Sequence, residues 1–153
     1  MNRFCLGVAQ GVGMVWTSPY TLVGLLAGLV ALAFGARLSY SDAALVFHRV
    51  PFGPGGALTL GNVILHTGHS LDEVAPTYAC RAHGGDDCVR LGDHERAHVY
   101  QYLALGPFFL PLYFAFGGIS ESNRFEQAAD RYAMTGEGWW PWPGRVRAAS
   151  PSG

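Results

Sequence analysis

The sequence predicts an α+β chain with an N-terminal transmembrane helix, a small antiparallel sheet and a helical core. Three observations carry that expectation. Residues Phe4 to Phe34 carry no charge, and a membrane helix needs about 20 apolar residues. Residues 38–66 fall into short strand-favouring pieces separated by turn residues. Beyond them, DHERAHVYQYL (93–103) and NRFEQAADRYA (123–133) carry chemically active side chains at helical spacing. The expected partition is a membrane anchor over 1–37, a domain over 38–137 and a Trp/Pro-rich tail over 138–153.

Composition agrees with an anchor. Only 14% of the 153 residues are charged and 50% are apolar, with 21 glycines, a bias toward lipid contact. The formal net charge of −1 gives no electrostatic reason to expect nucleic acid as a partner. Within the charge-free run, Tyr20 to Ala36 is the most apolar part, with Trp16 and Tyr20 marking one interface and Arg37 the other. A cleaved signal peptide is the rival reading, but the apolar core is too long for one. Gly24-x-x-x-Gly28 permits close helix packing, and Cys5 reads as a small apolar residue.

Ala44 to Val50 and Ala57 to Leu65 read as two strands, with Pro51 to Gly56 as turn material between them. Residues His69 to Asp87 read as a loop. Cys80 and Cys88 read first as reduced thiols, next as a small disulfide loop, for which they are close enough in sequence, and last as a metal site with His83. Leu103 to Ile119 is again uncharged, but Pro107 and Pro111 interrupt it, and a re-entrant or core helix is expected. Trp139, Trp140 and Trp142, near Arg145 and Arg147, suit either a headgroup layer or packing over the domain.

The chemistry centres on His94-Glu95-x-x-His98. Positions i and i+4 of a helix lie one turn apart on one face, so both imidazoles can converge on one metal ion. A zinc hydrolase site wants three protein ligands and a water, with a carboxylate beside that water to take its proton. Glu95 is placed for that proton. The bland alternative is a polar helix with two satisfied histidines. In the second stretch Asn123, Glu126 and Asp130 share one helix face. Glu126 is the candidate third ligand, and Asp130 and Asn123 are candidates for the outer shell. Tyr102, Tyr113 and His66 are candidate donors to a tetrahedral intermediate, with Tyr102 one turn past His98.

HExxH followed by a helix carrying Glu and, four residues later, Asp resembles the gluzincin branch of the zincin metallopeptidases. The resemblance implies that His94, His98 and Glu126 bind zinc, that Glu95 is the general base, and that Asp130 supports a ligand. More narrowly, HERAHVYQYLALGPFFLPLY followed by NRFEQAAD is similar to a group of small uncharacterised bacterial membrane proteins with an HExxHxxQY helix, which implies a bacterial inner-membrane location. Zincins commonly receive peptide on an edge strand beside the active-site helix, which implies Thr59, Gly61 and Asn62 as the substrate strand.

The functional expectation is a membrane-anchored zinc metallopeptidase with lipid and a peptide or protein substrate as partners; self-association is left open. Two alternatives stand beside it. One is a membrane protein whose zinc is structural or vestigial and which binds partners; the other is a metal-free membrane-associated module.

Overall fold

A mixed four-stranded sheet lies between two helices, and the metal-ligand pattern lies on one of them. The structure, a computed structural model, describes residues 12–13, 15–41, 44–53 and 55–142. Helix α1 (Ser18–Ala33) precedes strands β1 (Arg37–Ser41), β2 (Ala44–His48), β3 (Ala57–Leu60) and β4 (Val63–His66). A two-stranded ribbon of β5 (Val74–Pro76) and β6 (Cys88–Arg90) encloses the short helix α2 (Tyr78–His83). Then come α3 (Leu91–Leu105), a 3-10 turn (Gly106–Phe108), α4 (Phe109–Ala115) and α5 (Arg124–Thr135).

The sheet runs in the order β1-β2-β4-β3. β1 and β2 are antiparallel, β2 and β4 are parallel, and β3 returns antiparallel along β4 as an edge strand. The expected sheet was wholly antiparallel, and the expected single strand over 57–65 is a hairpin. Gly61 makes the difference: its φ of 61° suits the first position of a two-residue turn, which reverses the chain at Gly61-Asn62. The strand alternation then sorts the core. Phe47, Val63 and Leu65 face α1, while Ala44, Val46 and Ile64 meet Val99 of α3.

The expected transmembrane helix is overturned. Among the described residues no helix is long and apolar enough to cross a membrane. α1 has 16 residues, which at about 1.5 Å per residue falls short of a ~30 Å hydrocarbon core. Its glycines serve a different contact. A side chain at Gly24 would meet Val63 at 2.8 Å, and one at Gly28 would meet Phe47 at 2.3 Å. The small-residue face therefore seats the helix on the sheet. The opposite face, with Leu22, Val23, Leu26, Leu29 and Val30, is more than half exposed. Residues 1–11, which include Cys5 and the start of the apolar run, lie outside the described residues.

The uncharged segment after α3 does not form a single long helix. Gly106, at a φ of 53°, ends α3, and the short α4 buries Phe109 and Tyr113 in a cluster with Tyr102 and Phe125. The expected loop over 69–87 contains ordered elements because Thr77 caps α2, accepting from the Cys80 N–H at 3.1 Å. Cys80 and Cys88 are both free, so no disulfide links them. Trp142 packs on Phe116 and Phe125, and residues 143–153, with Arg145 and Arg147, lie outside the described residues.

Candidate metal centre

α3 and α5 pack against each other and bring the two sequence motifs together. Asn123 starts α5: its Oδ1 accepts the Phe125 N–H at 2.9 Å, while its Nδ2 donates to the carbonyls of Tyr113 and Gly118. That cap leaves Glu126 in the first turn, aimed at α3. Asn123 therefore positions the helix, and its side-chain hydrogen bonds go to backbone groups and not to His94, His98 or Glu126. His94 Nε2 and His98 Nε2 are 3.1 Å apart, and Glu126 Oε2 lies 3.1 Å from the first and 3.4 Å from the second. A four-coordinate zinc with bonds of about 2.0–2.1 Å sets neighbouring donors roughly 3.3 Å apart. The triangle has the size such an ion needs. Buried His94, His98 and Glu126 can hold a metal ion.

The surrounding groups hold that triangle. Asp130 Oδ1 lies 2.9 Å from His94 Nδ1; a carboxylate only accepts, so Nδ1 carries a proton, and Nε2 is the nitrogen whose lone pair a metal would take. The second oxygen, Oδ2, accepts the backbone N–H of Tyr78 at 2.9 Å. Tyr113 donates its hydroxyl to Glu126 Oε1. That bond occupies Oε1 and leaves Oε2 as the oxygen that faces the two imidazoles. Glu95 stands outside the triangle, and its Oε2 accepts from Thr59 Oγ1 at 2.6 Å.

A cavity of about 140 Å³ opens on these groups. Its lining includes His94, Glu95, His98 and Glu126, the phenols Tyr78 and Tyr113, and an apolar wall with Leu58, Leu110 and Phe114. Tyr102 does not line it. That side chain is fully buried between Tyr20 and Phe109, and its hydroxyl has no hydrogen-bond partner. Each four-residue step drifts about 40° around a helix, so Tyr102, two such steps past His94, has turned from the ligand face toward Tyr20 and Phe109. His66 is also absent from the lining; it is buried against His48 and Glu73. Of the expected substrate strand, Thr59 turns inward to Glu95. Gly61 and Asn62 form the hairpin turn pinned under α1, where Asn62 Oδ1 accepts from Thr17 at 2.6 Å and its N–H donates to Thr21 at 3.1 Å. Neither is open to a peptide. Tyr78 was missed because nothing in its local sequence marks it; α2 stacks its ring on His94 with centroids 6.0 Å apart.

Electrostatics mark the cluster as a place for positive charge. Burial lowers the His94 pKa, but hydrogen bonds to Asp130 and Glu126 and the nearby carboxylates outweigh it and raise it to about 10. Burial opposes the rise of His98 as well, and Glu126 overcomes it. Burial pushes Glu126 upward, yet the two histidines hold it well below the carboxylate range. Without metal, protons supply the charge. The raised histidines then contribute stability that is fully present below their ordinary value of 6.5, and His94's share is lost as pH rises through about 10. The depressed Glu126 contributes above its ordinary 4.5 and loses it as pH falls. Metal-free protein in chelator should therefore melt at the highest temperature between about pH 4.5 and 6.5, and progressively lower toward pH 10. A flat thermal-unfolding profile from pH 6 to 10 would remove this charge assignment.

The fold and the cluster define a class in physical terms: an α+β chain with a buried cluster of two histidines and one carboxylate that could hold a metal ion, and an independent carboxylate beside it. Comparison of the chain with protein-family models, curated proteins and solved structures finds no match.

Proposed function

We propose that the chain is a zinc-dependent metallopeptidase of the HExxH type. One observation carries the reading: Glu95 lines the same cavity as the three ligand atoms without belonging to their triangle. A structural zinc site closes its fourth position with protein, whereas here a carboxylate and open space adjoin the triangle. Two imidazoles and a carboxylate form a donor set that suits zinc. When bound, zinc supplies Lewis acidity toward a water and a peptide carbonyl.

The chain's own residues divide the remaining work. Glu95, aimed by Thr59, accepts the proton of the attacking water and returns it to the leaving amine. Tyr113 is committed to Glu126. Tyr78 lines the cavity, and burial together with Glu126 and Glu95 keeps its phenol neutral. It is therefore a hydrogen-bond donor for the developing oxyanion. β3 borders the cavity as an edge strand, and an extended peptide laid along it is the substrate geometry this reading favours.

The test is turnover of a mixed peptide library, read by mass spectrometry, with protein stripped by chelator and then reloaded with zinc. Cleavage only after reloading is expected. Stoichiometric zinc without any cleavage would favour a structural metal.

A further inference from the structure

His94 has a carboxylate behind it, but His98 has a neutral amide, and that amide is locked. Gln101 is fully buried, one turn along α3 from His98. Its Oε1 lies 2.8 Å from His98 Nδ1, and its Nε2 donates to the carbonyl oxygens of Phe125 at 3.2 Å and Trp139 at 2.9 Å. Amide oxygen and nitrogen are distinguished by their partners. Backbone carbonyls only accept, so the end facing them must be the NH₂, with one hydrogen for each. The end facing His98 must be the oxygen, which also only accepts. His98 Nδ1 is therefore obliged to carry a proton, so in the neutral ring the lone pair falls on Nε2, toward His94 and Glu126.

From this we infer that Gln101 is a positioning residue, which imposes on His98 the tautomer that binds metal through Nε2. The inference rests on the metal-centre reading for its purpose, though not for its geometry. The side chain joins three segments at one ligand: α3, α5 through Phe125, and the stretch after α5 through Trp139. Its neutrality matters as well. Glu95, Glu126 and Asp130 already surround the centre, and a fourth carboxylate would add negative charge that a bound dication does not need. A neutral acceptor fixes the ring without that addition.

Two substitutions separate positioning from packing: both delete the NH₂, and in Gln101→Glu the second oxygen, held against the carbonyls of Phe125 and Trp139, takes a proton and keeps at most one of the two bonds to backbone. Gln101→Met also deletes the acceptor, whereas Gln101→Glu keeps it. Zinc affinity of the full chain, measured by chelator competition, should fall roughly 10- to 100-fold in Gln101→Met, the scale for a lost outer partner of a ligand histidine. In Gln101→Glu it should stay within a few-fold of the parent or become tighter. Equal weakening in both variants would overturn the inference, since that pattern belongs to a packing role. The second readout needs no metal. Long-range proton–nitrogen spectra of the metal-free parent should show the His98 Nδ1–H protected from exchange, whether or not Nε2 also carries a proton. They should show the protection retained in Gln101→Glu and lost in Gln101→Met. A bare Nδ1 in the parent overturns the inference even if Gln101→Met does not fold. If no zinc binds at all, the metal reading fails and the spectra still decide the role of Gln101.

Discussion

Glu95→Gln should keep zinc and fold while hydrolysis falls by two to four orders of magnitude, the scale of a lost general base. The geometry explains why the two effects separate. Glu95 is not among the three residues that could hold the ion, so its charge is not needed for coordination. Its Oε2 accepts from Thr59, and a glutamine oxygen accepts the same bond, so the side chain keeps its aim. What the amide cannot do is take a proton at neutral pH. Metal content, thermal unfolding and turnover measured on one preparation check all three statements. A variant with parental turnover, in an assay that chelation abolishes, would exclude Glu95 as the base.

Replacing a ligand should act at the opposite end. About one zinc per chain is expected for the parent, and His94→Ala, His98→Ala or Glu126→Gln should emerge from dialysis without it. Glu126→Gln is the most informative of these. Its oxygen can still accept the Tyr113 hydroxyl now received by Glu126 Oε1, which leaves its NH₂ facing the two Nε2 atoms. A donor then stands where an electron pair is required. Elemental analysis gives the answer, and full zinc retention in Glu126→Gln would remove Glu126 from the ligand set.

The centre was legible in the sequence because its parts are local. His94 and His98, and again Glu126 and Asp130, are pairs four residues apart on single helices, and helical geometry alone puts each pair on one face. Thr59 and Glu95 meet across 36 positions, a distance over which no periodicity operates. The locking of Gln101 is invisible for the same reason, since its partners are backbone carbonyls on two other segments. The apolar N-terminal run misled because hydrophobicity reports burial without naming what buries it. One face of α1 is covered by the sheet through glycines, and a composition window does not separate that from lipid. The hairpin over 57–66 was hidden by an alternating pattern that reads on through the turn, where Gly61-Asn62 alone signals the reversal.

Asp130 illustrates how much one side chain can be asked to do. Its two oxygens serve two masters: Oδ1 takes the Nδ1–H of His94, and Oδ2 takes the main-chain N–H that begins α2. A carboxylate can satisfy both because both of its oxygens accept. Asparagine, its nearest isostere, has one acceptor and one donor, and both partners here are donors. Whichever way the amide turned, it would present a hydrogen to a hydrogen on one side. The wall of the cavity that carries Tyr78 and the ring of His94 are thereby tied to the same two-acceptor group, and no neutral side chain of that shape can hold both at once.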